Sequence, residues 1–241
     1  MKVNLTYSKD GNSFKLKLKP KKKMSDTKYD KLKPIIENAG WHWRESEQAF
    51  MFYGEIDEHY DELQEMQYYP TPIPVVEEMI TLSKLTKDSV ILEPSAGDGR
   101  IVQAVNKQRL KNKVYAVETS KTLAYNLVDL TNKVYNGKFE TFYAMNRFNK
   151  AKLGITNVIM NPPFSEQRDA LHIQMAFDLL QPGGRLVAIA SENSLYYDTD
   201  ITRNFKRFLR NNNAIIKPLE DNTFKHSKTT IDTVMIIIDK K

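Results

Sequence analysis

The 241-residue chain reads as an α/β protein. A doubly wound, mostly parallel sheet with helices on both faces follows a small N-terminal α+β appendage. Three observations carry that reading. From residue 69 onward, apolar runs of strand length alternate with amphipathic runs of helix length. The segment Pro94-Ser95-Ala96-Gly97-Asp98-Gly99 joins one such strand to a helix through small residues. Charge then divides the chain, with eleven lysines against three aspartates in 1–33 and one arginine against nine acids in 34–68. The asymmetry sets the expected domains at 1–68 and 69–241.

Composition narrows the function classes. A hydrophobic fraction of 41% and a charged fraction of 27% suit an ordinary folded protein. No apolar run approaches the roughly 20 residues of a membrane helix, and no signal-peptide core precedes the first strand. The expectation is a cytoplasmic protein with no membrane partner. Without cysteine there is no disulfide, thiol nucleophile or cysteine zinc site. His42, His59, His172 and His226 form no ligand-spaced pair, so no metal is expected. A net charge of +6 permits a polyanionic partner without requiring one.

In the appendage, Val3–Tyr7 and Ser13–Lys19 alternate apolar and polar residues around Lys9-Asp10-Gly11-Asn12, a hairpin signal. A helix that Ser25 could cap ends by Gly40, Trp41–Trp43 and Gln48–Tyr53 form a second hairpin, and 55–67 an acidic helix. Two readings stay open for 1–68: a module with a solvated lysine face, or a nucleic-acid contact surface of lysines and aromatics.

From 69 on, helices are expected at about 73–84, 100–110, 119–131, 167–180 and 201–211. Strands are expected at 89–93, 113–118, 132–136, 155–160, 184–191, 213–218 and 232–238. The loop after Glu93 is neither GxGxxG nor a Walker loop. Its small residues allow close backbone approach to a ligand, while the acid at its start repels pyrophosphate and suits a cation. Glu118 ends the next strand, where doubly wound nucleotide folds place the acid that holds ribose hydroxyls. Together they favour a ligand built from an amino acid and adenosine. The run 156–160 is a buried strand stopped by Asn161-Pro162-Pro163-Phe164. Neither proline can donate to a ladder, so a stiff edge with one amide and one ring lies at a strand's carboxyl end.

The ordered set Tyr69-Pro70-Thr71-Pro72, Leu92–Ile101, Ala116-Val117-Glu118 and Met160–Phe164 resembles the S-adenosylmethionine-dependent adenine-N6 DNA methyltransferases, in particular the small enzymes of phages and mobile elements. Leu179–Ile189 and Phe224–Thr230 look like the same family. The likeness covers about 69–241. It implies a class I, Rossmann-like fold of seven strands whose last hairpin inserts one antiparallel strand. It places S-adenosylmethionine against Tyr69, Thr71, Glu93, Ser95, Ala96, Gly97, Glu118, Phe139 and Asn161, with its carboxylate near Thr71 and its amino group near Glu93. Many relatives hold the cofactor's adenine with an Asp-Phe pair, where this chain has Lys138-Phe139 with Glu140 nearby.

The family's chemistry fits these residue types. The Asn161 amide oxygen and the Pro162 carbonyl can each accept one hydrogen of an adenine amine, and Pro162 and Pro163 fix the carbonyl. Phe164 offers a face for a base flipped out of duplex DNA. Arg203, Lys206, Arg207 and Arg210 fall on one stripe of a helix whose other side is Ile201, Phe205, Phe208 and Leu209. That stripe, with Gln167 and Arg168, is the candidate phosphate contact, against the plainer reading of a solvated helix face. No recognition domain of ordinary size fits in 69–241, so a short or relaxed target is expected unless residues 1–68, a second copy or a separate partner supply specificity. Methylation of RNA adenine or of a protein glutamine, and a non-catalytic binding module, are the alternatives.

Overall fold

The computed structural model describes residues 13–16, 41–44, 49–53, 70–219 and 232–241, the first three as backbone only. The chain forms two compact units, Met1–Glu62 and Leu63–Lys241. In the first, β1 (Ser13–Leu16), β2 (Trp41–Arg44) and β3 (Ala49–Tyr53) form an antiparallel sheet in the order β1-β3-β2. The expected 41–53 hairpin is present, pairing Trp41 with Phe52 and Arg44 with Ala49. The strand at 13–16 pairs with 50–53. The expected strand at 3–7 and the helices around 25–40 and 55–67 lie outside the described residues.

The second unit begins with α1 (Ile73–Leu82), which has Pro74 in its first turn, where a missing N–H costs nothing. Then come β4 (Val90–Glu93), α2 (Arg100–Lys107), β5 (Lys113–Glu118), α3 (Lys121–Leu127), β6 (Lys133–Asn136), α4 (Phe139–Asn146) and the short α5 (Lys150–Leu153). The series continues with β7 (Asn157–Met160), α6 (Arg168–Leu179), β8 (Arg185–Ser191), α7 (Asn193–Tyr196), α8 (Asp200–Asn211), β9 (Ile215–Pro218) and β10 (Thr233–Asp239). The sheet order is β6-β5-β4-β7-β8-β10-β9. Strands β4 to β8 pair in parallel, and β10 inserts antiparallel between β8 and β9. This is the expected class I, Rossmann-like fold with its inserted last strand.

Alternation along the strands builds two cores. Ile91, Ile159 and Val187 face a cluster with Val76 and Met79 of α1 and Val102 and Val105 of α2. Leu92, Val158, Met160 and Ala188 face the other, with Ile173 and Phe177 of α6 and Phe205 of α8. The order of strands also reverses direction around β4 and β7, the switch point where open α/β sheets leave a crevice. Helices α4, α5 and α7 were not expected. Among the described residues, no helix is long and apolar enough to cross a membrane, and no cluster of His, Asp and Glu suits a metal.

Candidate active site

A cleft of about 240 Å³ opens at the carboxyl ends of β6, β5, β4 and β7, bounded on one side by α6. Its floor is the loop after β4. Ala96 N–H donates to Val117 O at 2.9 Å, and Gly97 N–H donates to Glu118 Oε2 at 2.7 Å. The other Glu118 oxygen accepts from Ser120 N–H at 2.7 Å. The two stretches singled out in the sequence are therefore bonded to each other. Gly99 must be glycine: its φ is +81°, and a Cβ there would meet Leu130 Cδ1 at 2.6 Å.

Glu93 ends β4 at 2% exposure, on the cleft wall. Burial pushes its carboxyl well above the usual range, with the charges of Glu118 and Asp98 acting the same way against a Val102 N–H. Its Oε2 has no hydrogen-bond partner among the described residues. A desolvated acid with acidic neighbours is a place a cation would complete. Burial raises Glu118 too, opposed by the N–H groups of Ser120 and Gly97. Glu118 was expected as a ribose acceptor. Its first role is to clamp the loop, although each oxygen keeps a second lone pair.

At the opposite edge, β7 is buried along its length and stops at Asn161. Asn161 Nδ2 donates to Thr71 Oγ1 at 3.1 Å. That bond fixes the orientation of the amide at the end of the strand. Thr71, expected beside a carboxylate, thus serves to orient Asn161. Arg100 Nη1 donates to Thr71 O at 3.0 Å and Nε to Asp98 at 2.8 Å. Arg100 was missed in the sequence, and it lies on the cleft wall.

Pro162 and Pro163 line the cleft, but Phe164 does not. Its ring is 7% exposed and belongs to the cluster that holds Val76, Ile101 and Ile159. The expected stacking face is turned into the core, because an apolar ring at the edge of the α1 and α2 layer gains more by burial there. Ser95, Ala96 and Gly97 sit on the wall, and so does Phe139, at 3% exposure. The Phe139 ring lies edge-on to His172, with centroids 5.3 Å apart. Tyr69 and His226 lie outside the described residues, as does the stretch 224–230.

The methyltransferase small domain family matches residues 79–215, which hold the cleft's lining apart from Pro70 and Thr71. The chain belongs to the methyltransferase small domain family. No curated protein shows significant sequence similarity to it. Among solved structures, a chain of a type I R-M system superposes with a TM-score of 0.59 at 18% identity, covering 77% of this chain and 46% of its own. A modification subunit of a putative type I restriction enzyme from Vibrio vulnificus YJ016 gives 0.54 at 17%, covering 83% and 51%. The type IIG restriction endonuclease BpuSI gives 0.51 at 20%, covering 71% and 25%. These likenesses are of fold. The chain spans about half the length, or less, of these three proteins.

One further residue of this methyltransferase domain falls where sequence alone did not put it. His172, read as an ordinary helix residue, is on the cleft wall with Glu140, and its Nε2 lies 3.1 Å from Glu140 Oε1. Arg168 also lines the cleft and pairs with Glu166 at 2.7 Å. Arg203, Lys206, Arg207 and Arg210 border a separate groove on α8, together with Tyr196 and Ile216. Their charge is partly spent, since Arg203 pairs with Asp198 and Asp200 and Lys206 donates to Tyr197 O.

Proposed function

We propose that this domain transfers a methyl group from S-adenosylmethionine to the exocyclic N6 amine of an adenine flipped out of duplex DNA. The observation that carries the reading is Asn161: an amide at a strand's carboxyl end, oriented by Thr71, followed by two prolines, in one cleft with the buried acid Glu93.

The residues present fit the cofactor. The partnerless oxygen of Glu93 suits an ammonium, and the Ser95–Gly97 backbone allows close approach. The remaining lone pairs of Glu118 suit a diol, and Arg100 replaces Thr71 as the better candidate for a carboxylate. Bound there, S-adenosylmethionine supplies an activated methyl group.

What the chain's own groups do follows from polarity. An aromatic amine is a weak nucleophile because its lone pair is delocalised into the ring. Asn161 Oδ1 and the Pro162 carbonyl each accept one amine hydrogen, which favours a pyramidal nitrogen and stabilises the charge that develops on it. Pro163 holds the Pro162 carbonyl stiff, so little entropy is lost in reaching that geometry. Phe164 is assigned an anchoring role, holding the proline segment on the core. The basic groups of α8, with Arg168 at the rim, supply a surface for phosphates.

DNA is favoured over RNA adenine and protein glutamine by the Tyr69–Pro72 and Leu92–Ile101 stretches. Methyl incorporation into duplex DNA, RNA and a glutamine-bearing release factor, followed by nucleoside and peptide analysis, tests the assignment. N6-methyladenine in DNA is expected. Asn161→Ala should abolish transfer and leave cofactor affinity within a few-fold. Cofactor binding with no transfer to any of the three substrates would leave a binding module instead.

A further inference from the structure

We propose that the groove between α7, α8 and β9 is a second, non-catalytic site that holds unpaired bases of a DNA strand. Tyr196 is its stacking face, and Arg207 and Arg210 take the phosphates. The proposal rests on the function proposed above for the choice of DNA. The groove itself is independent of the cleft, since the two share no lining residue.

The groove has a volume of about 750 Å³, within the range of sites that enclose a ligand. Leu209 and Ile216 line its apolar part, Tyr196 lines it beside them, and no acid lines it. Arg203 and Lys206 are engaged with Asp198, Asp200 and the Tyr197 carbonyl. Among the described residues no carboxylate pairs with Arg207 or Arg210, and Arg207 donates only to the neutral Asn204 Oδ1, at 2.8 Å. Two unneutralised guanidinium groups suit an anion. A ligand of phosphates alone would leave Tyr196, 74% exposed, and Ile216, 43% exposed, facing water. A duplex turns mainly phosphates to such a face and keeps its bases stacked inside. An unpaired strand offers phosphates and flat apolar bases together, which is the ligand that a basic groove with an aromatic ring binds.

The backbone that carries this tyrosine is held in place. Tyr196 N–H donates to Glu192 O at 3.1 Å, and Tyr197 N–H to Asn193 O at 2.9 Å. Tyr197 O accepts from Thr202 Oγ1 at 2.6 Å and from Lys206 Nζ at 3.1 Å. Thr199 caps α8 and donates to Gln167 Oε1, next to Arg168 on the cleft wall. The loop is thus tied to α8 on one side and to the rim of the cleft on the other. A base that stacks there orders little that is not already ordered, which favours binding. Phe164, the ring expected to stack, is only 7% exposed, so the stacking role passes to an exposed ring.

The test uses fluorescence anisotropy on the full chain with two duplexes, one carrying a short unpaired DNA tail and one an abasic tail of equal length and charge. Wild type should bind the base-bearing tail about tenfold more tightly. Tyr196→Ala should bring the two within about twofold and leave the abasic tail unchanged, whereas Tyr196→Phe should keep the preference. Ile216→Thr, which keeps a β-branched residue in β9, should shrink the preference as well, so the outcome does not depend on one variant. Equal binding of the two tails by wild type, no measurable binding of either, or a preference that survives Tyr196→Ala overturns the proposal. An RNA tail bound more tightly than the DNA tail overturns it too, as does a glutamate-rich peptide that competes as well as a single strand of equal charge. Nucleoside analysis of the same duplexes after incubation with S-adenosylmethionine keeps the two readings apart. A base-dependent tail preference without N6-methyladenine removes the proposed reaction and leaves the groove; N6-methyladenine without that preference does the reverse.

Discussion

Glu93→Gln separates two effects that the wild-type side chain combines. In the ligand-free protein the acid is a burden. It is 2% exposed, one oxygen lacks a partner among the described residues, and Glu118 and Asp98 repel its charge. Relieving a buried, unsatisfied charged group is worth about 1–2 kcal/mol. For a unit of this size that raises the melting temperature by roughly 2–8 °C. In the complex the acid is an asset. A charge-assisted hydrogen bond to an ammonium contributes about 1.5–3 kcal/mol, so the amide should bind S-adenosylhomocysteine roughly 10–150-fold more weakly. Differential scanning calorimetry of the ligand-free protein and titration calorimetry with the ligand measure the two halves. A variant that melts no higher than wild type, yet binds undiminished, would refute the reasoning, because Glu93 would then be neither strained nor engaged.

The remaining predictions use the same cleft and the α8 face. Because burial raises Glu93, the folded state holds its proton above the ordinary carboxylate value of 4.5. Its contribution to stability is complete below that value and is lost as pH rises through the folded pKa, so ligand-free wild type should lose melting temperature across that window and Glu93→Gln should lose less. A cationic ligand favours the ionised acid, so its affinity should climb with pH over the same window, with proton release visible as buffer-dependent heats. Thr71→Val removes the acceptor that orients Asn161, and should lower the transfer rate about tenfold with little change in cofactor affinity. Arg207→Glu with Arg210→Glu should reduce the salt slope of duplex binding by about two, whereas Arg203→Glu, already paired with two aspartates, should change it less.

The sheet of the second unit was legible because its information is local. Each strand is a short apolar run bounded by turn residues, and the Leu92–Ile101 stretch announces a strand, a turn and a helix in ten residues. What was not legible depends on long-range contacts. Thr71 and Asn161 are 90 residues apart, and nothing near either predicts their hydrogen bond. His172 reaches the cleft only because α6 packs beside α4, 32 residues away from Glu140. Helix α4 was missed because it starts at Lys138 with no side-chain cap and runs through Phe139 and Glu140, which read as loop residues. Phe164 was misplaced for a similar reason: an aromatic after two prolines can face a ligand or the core, and only the packing of α1 and α2 decides.

In the proposed reaction Asn161 and Pro162 would act alike on any planar N–H2 group, since each such group offers the same two hydrogens. Discrimination must come from the segment that follows. There Glu166 and Gln167 take φ of 54° and 59°, two consecutive non-glycine residues in the left-handed region, at about 1–2 kcal/mol each. Such strain persists only where the surroundings impose it. The next residues supply that constraint. Asp169, 0% exposed, accepts from Ser191 N–H at 2.8 Å and from Ser194 Oγ at 2.7 Å, and Thr199 Oγ1 donates to Gln167 Oε1. The segment after Phe164 is thus shaped by β8, α7 and the start of α8, which also carry the exposed Tyr196 and Tyr197 and lead into the basic stripe. A change of acceptor should therefore arise through residues 165–199 while Asn161 stays as it is, because the amide has no means of telling one amine from another.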